Sequence, residues 1–177
     1  MSRILSVSPL DSRYWNSVSE ISEYLSEYGI IKQRYFVEIS YYIKLMKKLG
    51  HKVDQNVHAM TDLFDISCAE IIKDIELTTN HDVKAIEYYI QARDEIEYPQ
   101  FVHFGLTSAD VSSLALTLSI EMCLDLIMGP KIDEIILTLS DIGSKWRSIA
   151  MLSHTHGQPA TPTTLGKEMF VFYERLS

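Results

Sequence analysis

Residues 108–149 read SADVSSLALTLSIEMCLDLIMGPKIDEIILTLSDIGSKWRSI, and their periodicity decides the fold class. Leu114, Leu118, Met122 and Leu126 recur every four residues. Ile132, Ile135, Ile136, Leu139, Ile142, Trp146 and Ile149 continue an apolar face at three- and four-residue spacing. That period belongs to the α-helix, and a run of this length suits a bundle. Ser108 is the expected N-cap, with Asp110 favouring the helix dipole in the first turn. Gly129-Pro130 is expected to kink or interrupt the run, with Pro130 opening a new segment.

The rest of the chain follows the same period. Met1 to Asp11 read as an extended lead-in. Val18, Ile21, Tyr24, Leu25 and Tyr28 begin a helical pattern near Asn16. A longer one covers 26–49, and Gly50 is its expected stop. Shorter helices are expected at 56–65, 67–77 and 82–93, with breaks at Thr78–His81 and Tyr98-Pro99. After a loop from Met151 to Ala160, Thr161-Pro162 supplies the expected N-cap and first position of a last helix. No strand, repeat or low-complexity tract is apparent, and the fold class is all-α. The last helix crowds Met169, Phe170, Phe172, Tyr173 and Leu176 at the end of the chain, a face that requires partners and implies truncation.

The 177 residues suffice for one domain and the start of a second. Sixteen Lys and Arg against 24 Asp and Glu give a net charge of -8, with no basic run to hold nucleic acid. Lys44, Lys47 and Lys48, the densest basic group, sit where a helix C-terminus favours cations. Cys68 and Cys123 read as small buried hydrophobes in a reducing compartment. An uninterrupted run of 18 apolar residues is absent, so neither a membrane span nor a secreted product is expected.

Three polar clusters interrupt the helices: Thr78-Thr79-Asn80-His81-Asp82, His103-Phe104-Gly105-Leu106-Thr107-Ser108-Ala109-Asp110, and Ser153-His154-Thr155-His156-Gly157-Gln158-Pro159-Ala160-Thr161. Each falls at an expected helix start, where unpaired N–H groups and partial positive charge suit a phosphate or carboxylate. Singly, each has a plainer reading. Asn80 and Asp82 are ordinary caps, as are Thr107 and Ser108, and His103 is a boundary histidine. His154 and His156 lack a third ligand nearby, which makes a poor metal site. Histidine nonetheless suits proton transfer near neutral pH.

Together the clusters resemble the adenylosuccinate lyases of the fumarase/aspartase superfamily. Thr79-Asn80-His81-Asp82-Val83-Lys84-Ala85 is similar to that family's T-x-H-D-V-x-A. His103 to Asp110 is similar to its H-[FY]-x-x-T-S-x-D, and Thr155 to Pro162 to its T-H-G-Q-P-A-T-P. Ser8-Pro9-Leu10-Asp11-Ser12-Arg13-Tyr14 resembles its S-P-x-D-x-R-Y. The resemblance implies an all-α N-terminal domain over 1–107 and the beginning of a long central bundle over 108–177.

It also implies a cytoplasmic homotetramer in purine biosynthesis, serving both IMP and AMP formation. Such an enzyme eliminates fumarate from adenylosuccinate, leaving AMP, and from SAICAR, leaving AICAR. No cofactor or metal is implied, and no nucleic acid or membrane partner. His156 matches the general acid and His81 a second active-site histidine. Arg13 and Tyr14 match the 5′-phosphate contacts, and Thr107 and Ser108 a carboxylate site. Asn80, Asp82 and Thr155 match binding or orienting positions, with His103 and Gln158 behind them. His154 stands where relatives often carry Arg. The family's base, a serine in a loop of the form S-S-x-M-P-x-K-x-N-P, has no counterpart among these residues, so the chain alone is expected to be inactive. Other readings are a related lyase such as argininosuccinate lyase or fumarase, a helical interaction module, and a metal-binding domain.

Overall fold

A computed structural model describes residues 8–177. The chain divides into two compact units, the residues up to Cys123 and those from Leu124 onward. The sequence reading places the boundary at 107/108 instead. The first bundle helix, α7 (Ser108–Cys123), packs along α3 (Glu27–Lys48) and so belongs to the first unit.

The first unit is built around α3. Its Ile31, Tyr35, Ile39, Tyr42 and Met46 are buried at the spacing of one helical face. They meet Ala69 and Ile72 of α5 (Ile66–Thr79), and Ala85, Ile86 and Ile90 of α6 (Asp82–Gln91). The short α4 (Gln55–Ala59) adds Val57. Burying each such isoleucine contributes about 1.5–3 kcal/mol. A second, smaller cluster joins Val37 of α3 to Val83, Val111 and Ala115. Gly50 closes α3 in the left-handed conformation: its N–H donates to the Lys47 carbonyl, and that of His51 to the Met46 carbonyl.

The N-terminal reading needs correction in part. Its section on Met1 to Val7 lies outside the described residues. Pro9–Asp11 form a 3-10 turn, not extended chain, because the Ser8 hydroxyl accepts from the Leu10 N–H. The helix expected from Asn16 is broken into α1 (Trp15–Val18), a 3-10 turn and α2 (Ser22–Leu25). Ser26 is extended and caps α3 through the Gly29 N–H, which forces the break.

In the second unit a π-helical turn, Leu124–Met128, precedes α8 (Gly129–Lys145), with Pro130 in its first turn. Pro130 has no N–H for the carbonyl one turn back, and the helix widens before it but continues without the interruption expected at Gly129-Pro130. Averaged over 18 residues, the helical run Ser108–Lys145 is apolar enough to cross a membrane by length and composition, although no uninterrupted apolar run exists. From Val111 to Ile120 only Ser and Thr interrupt it, and Glu121 and Asp125 are the first charges that follow. The same composition suits a helix covered by other helices.

Four two-residue strands overturn the expectation of none. β1 (Ala150–Met151) pairs with β4 (Thr163–Thr164), and β2 (His154–Thr155) with β3 (Gln158–Pro159), both antiparallel. Thr161-Pro162 consequently does not open the last helix. Thr164 is the N-cap of α9 (Leu165–Leu176), accepting from the Lys167 N–H. The Leu165 and Gly166 N–H groups donate to the Ile149 and Trp146 carbonyls, so the turn that follows α8 completes the first turn of α9.

Candidate active site

In the first unit the starts of α6 and α7 come together. His81 is the N-cap of α6: its Nδ1 accepts from the Lys84 N–H at 3.2 Å. An acceptor Nδ1 places the neutral ring's proton on Nε2. Nε2 lies 3.4 Å from the Ser108 hydroxyl at the start of α7. The backbone of His81 is clamped by Thr79, whose hydroxyl accepts from the His81 N–H and donates to the His81 carbonyl. Two helix N-termini beside a hydroxyl and an imidazole favour an anionic ligand.

Asn80 was a candidate cap and binding residue. Its backbone ends α5 in the left-handed conformation, with its N–H on the Glu76 carbonyl at 2.8 Å. The cap of α6 is His81 instead. Asp82 accepts from the Val83 N–H at 2.9 Å and from Arg34 Nη1 at 2.6 Å. Burial disfavours its charge, but that N–H and the guanidinium outweigh burial and hold the carboxyl below its ordinary pKa. His81 Nδ1 is 3.6 Å from Asp82 Oδ1. Thr107 donates through its N–H and hydroxyl to Asp110, which lowers the Asp110 pKa. Ser108 is thus the first helical residue, and Thr107 occupies the capping position.

His103 does not join His81. Its Nδ1 lies 2.5 Å from Glu38 Oε1, a carboxyl with no solvent exposure. Arg13 and Tyr14 sit exposed before α1, the guanidinium 5.5 Å from the Tyr14 ring centre. Among the described residues, no hydrogen bond or ion pair connects them to the His81 cluster. An apolar hollow of about 280 Å³ between α3 and α7 is lined by Phe36, Tyr41, Leu106 and Leu114, and neither His81 nor Ser108 reaches it.

The third cluster lies in the second unit. His154↔Pro159 and Thr155↔Gln158 are the paired positions, which leaves His156-Gly157 as a two-residue hairpin loop. Both loop residues have positive φ, 49° and 76°, the twist that such short hairpins require. Histidine in that region is uncommon, and backbone strain of this kind gathers at functional sites. His154, Thr155, His156 and Gln158 are all exposed. Among the described residues no three His, Cys, Asp or Glu side chains converge as a metal site.

Arg34 and Glu38 are the residues that sequence reasoning missed. The available signal was a pair of charges four residues apart in the buried stripe of α3.

The family model described as "Lyase" matches residues 19–177. The chain is 45% identical to an adenylosuccinate lyase of Dictyostelium discoideum, over 99% of this chain and 41% of that one. It is 39% identical to that of Legionella pneumophila, strain Philadelphia 1, and 37% to that of Escherichia coli K12, each over 96% of this chain and 40% of the relative. The chain thus spans about two-fifths of the length of these curated relatives. A fumarate lyase from Mesorhizobium sp. BNC1 superposes with a TM-score of 0.71 at 20% identity, covering 89% of this chain and 37% of that one. The 3-carboxy-cis,cis-muconate lactonizing enzyme from Pseudomonas putida gives 0.65 at 24%, covering 89% and 37%. At such identities the two structures speak for the fold alone. With the family model covering the helical core and all three polar clusters, and with adenylosuccinate lyases among its similar relatives, the chain belongs to the lyase family.

Proposed function

We propose that the chain is the N-terminal part of an adenylosuccinate lyase, a cytoplasmic homotetramer of purine biosynthesis. The reaction is a β-elimination without metal or cofactor, on adenylosuccinate and on SAICAR. A base removes the proton on the carbon beside a succinyl carboxylate. The electron pair becomes the double bond of fumarate, and the carbon–nitrogen bond breaks. His156 protonates the departing nitrogen of AMP or AICAR. Thr155 orients the substrate beside it, with Gln158 behind. Ser108 and Thr107 hold a carboxylate at the start of α7, and His81, steadied by Asp82 and Asn80, supports that contact. Arg13 and Tyr14 take the 5′-phosphate, a task that suits a guanidinium fork. The base comes from residues outside these 177, so the chain alone turns nothing over. Neither nucleic acid nor membrane is a partner.

The observation that carries this reading is the approach of His81 Nε2 to the Ser108 hydroxyl, 3.4 Å, where the starts of α6 and α7 meet. The test is cleavage of adenylosuccinate followed at 280 nm, with the product of the whole gene beside the 177-residue chain. Expected are turnover by the first, silence from the second, and loss of turnover in His156→Ala of the long form. Turnover of argininosuccinate, with none of the nucleotide, would overturn the substrate assignment.

A further inference from the structure

Arg34, Glu38 and Tyr41 lie at i, i+4 and i+7 on α3, on one face of that helix. Each reaches a segment that carries a candidate site residue. Arg34 Nη1 holds Asp82, next to His81. Glu38 Oε1 holds His103 Nδ1, and the Tyr41 hydroxyl donates to the Phe104 carbonyl at 2.8 Å. His103 and Phe104 begin the turn that delivers Thr107 and Ser108 to the start of α7.

That turn is held in a conformation it would not choose. His103 has φ 60°, and Gly105 has φ 75°. The Leu106 N–H closes on the His103 carbonyl at 3.2 Å. A left-handed non-glycine residue costs free energy and persists only where its surroundings fix it. The Glu38 contact is the fixture at that residue. Glu38 is fully buried, and its second oxygen, Oε2, has no hydrogen-bond partner. Burial pushes its carboxyl above the ordinary pKa and nearby Glu87 adds to that, while the His103 hydrogen bond opposes both. A core built for stability alone would replace such a half-satisfied carboxyl with an apolar side chain.

We propose that Glu38 is a positioning residue: by holding His103 in its left-handed turn, it sets where α7 starts and so places the Ser108 hydroxyl against His81 Nε2. Arg34 sets the other half of the same register by fixing Asp82. The proposal rests on the reading of His81 and Ser108 as part of a substrate site.

The test compares Glu38→Gln and Glu38→Leu in the full-length protein, with circular dichroism confirming the fold. One readout is the ring ¹⁵N shifts of His81 without ligand, which report its tautomer and its Ser108 contact. The other is kcat and KM for adenylosuccinate. Expected are displaced His81 shifts in Glu38→Leu and a fall in kcat of about tenfold or more, from misplacement at unchanged fold. Glu38→Gln, which keeps an acceptor for His103, lies between it and the wild type. A folded Glu38→Leu with wild-type His81 shifts and kcat overturns the proposal. If Glu38→Leu does not fold, Glu38→Gln decides: wild-type His81 shifts and kcat in that variant overturn it as well. Failure of the lyase reading itself would appear separately, as no turnover by the wild type, and the His81 shifts would still test the positioning role.

Discussion

Replacing Gly166 by Ala should loosen the packing of α9 against α8. A Cβ at that position would lie 2.3 Å from the Gly143 carbonyl oxygen and 2.6 Å from both Cα and N of Arg147. An ordinary carbon–carbon contact is about 3.5 Å, so the shortfall at the Arg147 Cα is about 0.9 Å. All three obstacles are backbone, and none can rotate away. The start of α9 must move away, which weakens the bonds from the Leu165 and Gly166 N–H groups to the Ile149 and Trp146 carbonyls that follow α8. Overpacking of this kind costs about 1–3 kcal/mol. Alanine's helix preference offsets up to about 1 kcal/mol of that in a helix interior, and less in the first turn. Gly143→Ala is the internal comparison: the three atoms nearest its Cβ all belong to the Phe170 ring, the first at 2.9 Å, and a ring can turn aside. Urea unfolding of the purified chain and both variants gives the free energies. A Gly166→Ala chain as stable as the wild type, or one less affected than Gly143→Ala, would refute the reasoning.

Other outcomes follow from the same geometry. Ile86→Ala, at a fully buried position, should cost about 2–5 kcal/mol by urea unfolding, and a loss under about 1 kcal/mol would mean that α6 is not locked into the core. His81→Asn keeps a side-chain oxygen able to cap α6 but one too short to reach Ser108. It should melt within a few degrees of the wild type while turnover by the full-length enzyme falls, and unchanged turnover would remove His81 from the site. Asp82 has a lowered pKa, so it contributes stability above its ordinary value near 3.8, and that contribution is lost as pH falls through the lower folded value. Asp82→Asn should therefore be less stable than the wild type at pH 7 and converge with it in acid; equal melting at pH 7 would show that the Arg34 contact contributes nothing.

The helices were legible because their apolar residues repeat. The run from Ile31 to Met46 marks α3 without ambiguity, and the Gly129-Pro130 pair marks the π-helical turn before α8. The hairpin around His156 was missed because two-residue strands are too short for alternation to register. The sign of a two-residue loop ending in Gly was present in His156-Gly157, but the surrounding Thr and Pro residues also fit a helix start. The partnership of Arg34 with Asp82 and of Glu38 with His103 was hidden for another reason. These residues are 48 and 65 positions apart in sequence, and nothing local to either announces the other.

The left-handed backbone at His156 bears on how its chemistry is to be measured. Alanine there removes an imidazole and also installs a residue that resists φ of 49°, so the hairpin opens and the loss of rate mixes two causes. Asparagine tolerates that conformation and has no proton to give at neutral pH. The His156→Asn rate therefore isolates the missing acid, and the gap between the Asn and Ala variants measures how far the turn itself aims it.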